Sequence, residues 1–115
     1  MYNWHHLEDS DIKGVLVDFD NCLAKNRGYP DYTPTEPMEG AKEFCKKMTE
    51  RGYKIWIYTA RPSADEHNIE GWCSHYGIPF RRIICGKLLG RVLIDDKAMH
   101  FTSWEQALKD VEKFL

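Results

Sequence analysis

The chain has 115 residues, of which 43% are hydrophobic and 13% aromatic, a composition that excludes a disordered segment and supports one domain with one core. Sixteen Lys and Arg against eighteen Asp and Glu leave a net charge of -2, which argues against a dedicated, broadly basic nucleic-acid binder. No apolar run approaches the roughly 18 residues of a membrane span, and Met1–Leu7 lacks a cationic start followed by an apolar stretch, so neither a span nor a secretory signal is expected.

Residues 1–13 read as an N-terminal arm on a single domain covering 1–115. Gly14-Val-Leu-Val17 is short, apolar and β-branched, which predicts a strand buried on both faces. Residues 23–36 hold Gly28, Pro30 and Pro34 and read as a loop. Pro37 opens a predicted helix to about Arg51, with Met38, Ala41, Phe44, Cys45 and Met48 on one face and Gly52 as its stop. Lys54–Tyr58 is the next strand and ends at Thr59. Ser63 and Glu66 can cap a helix that turns Ile69, Trp72, Cys73 and Tyr76 inward and ends at Gly77. Arg82–Cys85 and Arg91–Ile94 read as third and fourth strands, the fourth ending at Asp95-Asp96. Ser103 and Gln106 form a second capping box, for a last helix with Trp104, Ala107, Leu108, Val111 and Leu115 inward. Strands alternating with helices predict an α/β fold, a three-layer α/β/α sandwich with a mainly parallel, Rossmann-like sheet. The cysteines Cys22, Cys45, Cys73 and Cys85 form no Cys-x-x-Cys pair, so a metal finger is not expected and a reduced, cytoplasmic protein is the simplest reading.

Open parallel sheets bind ligands beyond the carboxyl ends of their strands. Asp18 and Asp20 follow the first predicted strand, Thr59 and Arg61 the second, Lys87 the third, and Asp95 and Asp96 the fourth. Four carboxylates facing one crevice repel each other unless a cation joins them, and a carboxylate set suits a hard ion such as Mg²⁺. Lys87 adds a point charge suited to phosphate and Thr59 a hydroxyl donor. An aspartate can serve as nucleophile, and a carboxyl two residues away can serve the leaving alcohol and then the attacking water. The constellation points to metal-assisted phosphoryl transfer.

Val17-Asp18-Phe19-Asp20, Tyr58-Thr59-Ala60-Arg61, Gly86-Lys87 and Leu93-Ile94-Asp95-Asp96 occur in that order, and the chain from about 14 to 105 thereby resembles the haloacid dehalogenase-like phosphohydrolases. The resemblance implies Asp18 as nucleophile, Asp20 as general acid and base, and Thr59 and Lys87 as holders of the phosphoryl group. It implies Mg²⁺ on Asp18, the Asp20 carbonyl and Asp95, with Asp96 as a second ligand or a holder of metal-bound water. Two departures stand out: Asn21-Cys22 replaces the usual Gly-Thr or Gly-Val, and Leu88 stands where a proline is frequent. Asn tolerates the positive φ this turn requires. Neither gap where the family inserts a cap domain is long enough for one, so the chain resembles the small capless subgroup. Members of that subgroup often act on phosphate groups of macromolecules or complete their pocket by association of copies. A Mg²⁺-dependent phosphatase is the leading expectation, and a catalytically silent binding or regulatory module of the same fold is the alternative. A signalling receiver domain would carry its phosphoacceptor aspartate mid-chain, where this chain has Thr59.

Other residues have plainer readings. Arg61 either binds substrate phosphate or caps a turn. His5-His6 reads as a solvated pair, Cys22 as a packed small residue, and Trp56, Trp72 and Trp104 as core. Lys25, Arg27, Tyr29 and Tyr32 in loop 23–36 offer cations and rings at the mouth of the site. An open mouth favours a large phosphorylated ligand, such as an oligonucleotide end or a phosphoprotein, over small esters.

Overall fold

The structure is a computed structural model that describes residues 13–115. The arm up to residue 12, with His5 and His6, lies outside the described residues. Among the described residues, five strands and three helices follow in chain order: β1 (Gly14–Val17), β2 (Ala24–Asn26), β3 (Pro34–Pro37), α1 (Ala41–Glu50), β4 (Lys54–Tyr58), α2 (Glu66–Tyr76), β5 (Arg82–Ile84) and α3 (Trp104–Asp110).

The fold is α/β, built on a parallel three-stranded sheet in the order β1-β4-β5. Val17 pairs with Ile57 and Ile57 with Ile83, so all three strands end at the same side. β4 is central, and its alternation sends Ile55 and Ile57 into the core with at most 1% exposure. α1 lies over β4 and against α3, burying Ala41, Phe44, Cys45 and Met48 at the three-and-four spacing of one helix face. α2 packs on β5 and β3 through Ile69, Trp72 and Cys73. No helix among the described residues is long and apolar enough to cross a membrane.

Several elements depart from the sequence reading. Segment 23–36 is not simply a loop: β2 and β3 form an antiparallel hairpin with Ala24 opposite Pro37. Prolines at both ends of β3 are tolerated because such a two-stranded ribbon has outward-facing backbone that needs no donor. Pro37 therefore ends a strand rather than opening α1, which starts at Ala41 after a left-handed Gly40. Ser63 makes no side-chain cap; residues Ser63–Asp65 form a single 3₁₀ turn after an extended Pro62, and α2 begins at Glu66. Arg91–Ile94 is not a strand. Val92, Leu93 and Ile94 are 76%, 72% and 95% exposed, and among the described residues β1 is an edge strand, with Leu16 54% exposed rather than buried. Finally, Leu115 is exposed, because a 3₁₀ turn at Val111–Lys113 breaks the 3.6-residue period of α3. The second capping box forms by half: Ser103 Oγ accepts from Gln106 N at 3.1 Å, while the Gln106 amide turns to Asp110.

Candidate active site

The chain leaves β1 at Val17 and turns sharply on Phe19. The Phe19 carbonyl accepts from the backbone N–H of Cys22, Leu23 and Ala24 at 3.3, 3.0 and 3.0 Å. Asn21 takes the left-handed conformation at φ 61, which asparagine tolerates. Two indoles fix this region from outside. Trp104 Nε1 on α3 donates to the Cys22 carbonyl at 2.6 Å, and Trp72 Nε1 on α2 donates to the Thr35 carbonyl of the hairpin at 2.6 Å. Trp72 and Trp104 thus belong to the core and also hold the turn and hairpin that carry the site, whereas Trp56, expected in the core, is only half-buried on the other face of β4 under the Arg82 guanidinium.

Asp18 is half-buried at the end of β1. Burial raises its carboxyl above the usual carboxylate range; the Lys87 charge and the Phe19 N–H oppose that, and Asp20 adds a smaller push upward. Thr59 follows β4, is 1% exposed, and its backbone accepts from Lys87 N at 2.9 Å. Its Oγ1 accepts from Arg61 N at 3.1 Å, so its own O–H is the donor it can offer a ligand. Lys87 Nζ sits 5.3 Å from the centre of the Tyr58 ring. Cys22 is not an activated thiol: burial, then the Asp18 carboxylate, push it up to about 11 against the pull of Lys87.

Asp20 is gripped from two directions. Arg61 Nε donates to its Oδ2 at 2.9 Å and Arg61 Nη2 to its Oδ1 at 2.6 Å. Asn26 Nδ2 donates to the same Oδ1 at 3.0 Å. A cleft of about 460 Å³ opens beside this pair, lined by Asp20, Asp31, Tyr32, Arg61, Pro62 and Asp65.

The structure therefore brings Asp18, Asp20, Thr59, Arg61 and Lys87 to the carboxyl ends of the three parallel strands. Asp95 and Asp96 are not brought there. They lie on the exposed segment after Gly86, where Asp95 Oδ1 accepts from Lys97 N at 2.6 Å and Asp96 faces Lys97 Nζ at 3.5 Å. Among the described residues no three His, Cys, Asp or Glu side chains gather as a metal site. In this arrangement the four aspartates do not fit one Mg²⁺ ion, because the strand expected to carry two of them is not on the sheet.

Asn26, Asp65 and the Tyr32 carbonyl join the site without having stood out in the sequence. For Asn26 and Tyr32 the signal was the hairpin, which places 26 against Asp20 and 32 against Arg61, and β3 was masked by its two prolines; for Asp65 it was the spacing of four residues from Arg61. The loop cations are already matched within the hairpin: Lys25 to Glu36 at 3.5 Å and Arg27 to Asp31 at 3.2 Å. Tyr29 and Tyr32 meet edge to face at 6.3 Å, with Tyr29 86% exposed.

No protein-family model matches the chain, and no curated protein matches it. A crystal structure of a Vibrio cholerae target protein is similar to it, with 21% identity and a TM-score of 0.63 over 89% of this chain and 93% of that one. At that identity the likeness concerns the fold alone.

Proposed function

We propose that the protein is a phosphatase that hydrolyses phosphate monoesters through an aspartyl-phosphate on Asp18, on a capless, three-layer fold of the haloacid dehalogenase-like type. One observation carries this reading. Asp18, the Thr59 hydroxyl and Lys87 meet at the ends of three parallel strands, where such sheets bind ligands. An Asp18 oxygen attacks phosphorus, the bond to the leaving oxygen breaks, and Asp20 supplies that oxygen's proton. Water then attacks the acyl phosphate, Asp20 takes its proton, and phosphate leaves with the Asp18 carboxylate restored. Lys87 offsets charge on the phosphoryl oxygens and Thr59 donates a hydrogen bond to one of them.

Mg²⁺ dependence belongs to the proposal and adds a structural requirement. Asp95 and Asp96 must travel from their exposed positions to the outer edge of β1, which would also cover Leu16, Val92 and Ile94. The present placement of Asp95 and Asp96 favours the second reading, a silent binding module of the same fold. The test is a panel of sugar phosphates, nucleotides, phosphopeptides and phosphorylated oligonucleotides with Mg²⁺. Turnover that chelator and Asp18→Asn both abolish supports the enzyme; phosphate-ligand binding without turnover supports the module. Cysteine usage without a Cys-x-x-Cys pair supports a cytoplasmic location on this reading.

A further inference from the structure

We infer that Arg61 is the positioning residue for Asp20, and that the same guanidinium ties the β2–β3 hairpin to the sheet. The inference rests on the reading of Asp20 as the proton-handling carboxylate. It replaces the two simpler roles for Arg61, a phosphate ligand and a turn cap.

The guanidinium has five N–H donors in a planar fork. Nε and one Nη2 hydrogen engage the two oxygens of Asp20, and Nη2 also donates to the Tyr32 carbonyl at 2.6 Å. Three of the five donors are thereby committed, and the two on Nη1 face Asp65 at 3.6 Å. The group lies 5.4 Å from the centre of the Phe19 ring, which is fully buried, and the Arg61 side chain is only 17% exposed. Little of it is left to receive a phosphate. Its backbone is pinned as well: Arg61 N donates to Thr59 Oγ1, and its carbonyl accepts from Gly86 N at 2.9 Å. The fork is thus carried by the same short stretch that presents Thr59 and Lys87.

A two-point bond fixes a carboxylate in direction as well as place. With Arg61 on both oxygens and Asn26 on one, Asp20 is aimed by the segment after β4 and the hairpin together. A lysine cannot reproduce this, because a single ammonium does not span both oxygens and the Tyr32 carbonyl in one plane. The hairpin's grip on the sheet follows from the same bonds. Arg61 meets it at the Tyr32 carbonyl, at the bend between β2 and β3.

The experiment compares wild type with Arg61→Lys, Arg61→Gln, Asp20→Asn and the Asp20→Asn/Arg61→Gln pair, each first checked for a native far-ultraviolet spectrum. It reads kcat and KM on the best ester of the panel, inhibition by inorganic phosphate, and hydrogen exchange at the Arg27 amide, which bonds to the Thr33 carbonyl across the hairpin. Both Arg61 variants are expected to lose kcat by about 100-fold, the order of a misplaced general acid or base. KM and phosphate inhibition should move by less than about 3-fold, as when an interaction specific to the transition state is removed. The double variant should be no slower than Asp20→Asn alone. Arg27 exchange should speed by about tenfold in Arg61→Gln while α1 amides stay unchanged. Phosphate inhibition that weakens in step with kcat/KM, with losses that multiply in the double variant, overturns the inference in favour of a phosphate ligand. Active Arg61 variants with an unchanged hairpin overturn it outright. If the wild type turns over no ester, the proposed function falls, and the exchange result alone upholds or overturns the Arg61 tether.

Discussion

Gly40→Ala tests the packing that holds the site turn in place. Gly40 precedes α1 with φ +85, and an added Cβ would lie 2.9 Å from the Cβ of Trp104. The left-handed backbone costs a non-glycine residue about 1–2 kcal/mol. The steric conflict adds about 1–3 kcal/mol, since the Trp104 stem is buried and cannot swing away. The expected loss is about 2–5 kcal/mol, a large share of the stability of a domain this size. Gly52→Ala is the control. It has the same kind of backbone, φ +91, with nothing within 4 Å of the added atom, so it should lose only the backbone part, about 1–2 kcal/mol. Urea unfolding followed by tryptophan fluorescence gives both values. Trp104 also donates to the Cys22 carbonyl, so Gly40→Ala should lower turnover under native conditions and Gly52→Ala should not. Equal destabilisation by the two substitutions would refute the claimed contact between Gly40 and Trp104.

Asp18→Asn should abolish turnover, by at least about 10³-fold, while the fold persists. Because burial raises the Asp18 carboxyl in the folded state, the native protein binds more protons than the unfolded chain between the ordinary value of 3.8 and the raised one. Its ionised form therefore weakens the fold, and Asp18→Asn should be more stable than wild type near pH 7, with the gap closing as pH falls through the raised value and gone below about 3.8; urea melts across pH showing a constant gap would contradict this. Trp72→Phe strands the Thr35 carbonyl and should cost about 1–3 kcal/mol in the same melts, against no change if that bond is idle. Burial pushes the Cys45 and Cys73 thiols up to about 12, so a chromogenic disulfide should leave both unmodified in the native protein and label all four cysteines after unfolding. If Mg²⁺ binds as proposed, adding it should slow hydrogen exchange over residues 91–96; unchanged exchange with full Mg²⁺-dependent activity would contradict the required movement.

The helix faces and the central strand were legible because their residues obey one period. Ala41, Phe44, Cys45 and Met48, or Ile55 and Ile57, can be buried together in only one way. Strand ends were legible for the same reason, and with them Asp18, Thr59 and Lys87. Arg91–Ile94 shows the limit of that reasoning. An apolar, β-branched run says that a segment can pair; whether it does depends on an edge and a connection, and among the described residues it joins no strand and stays exposed. The β2–β3 hairpin escaped because Gly28, Pro30 and Pro34 signal a loop and Pro37 a helix start, unless the strand lies at an edge. Arg61 was visible as a charged residue at a strand end, but the Tyr32 carbonyl that it holds, and the Asn26 amide that shares Asp20 with it, are in place only once the hairpin has formed.

The central claim is that Asp18 carries the phosphoryl group. The most direct test mixes the protein with Mg²⁺ and a phosphate monoester that it turns over, quenches in acid within one turnover, and weighs the peptide containing Asp18. The account predicts that this peptide gains the mass of one phosphoryl group, and that Asp18→Asn neither gains it nor turns over the ester. Turnover with an unmodified Asp18 peptide, or an Asp18→Asn variant as active as wild type, would contradict it.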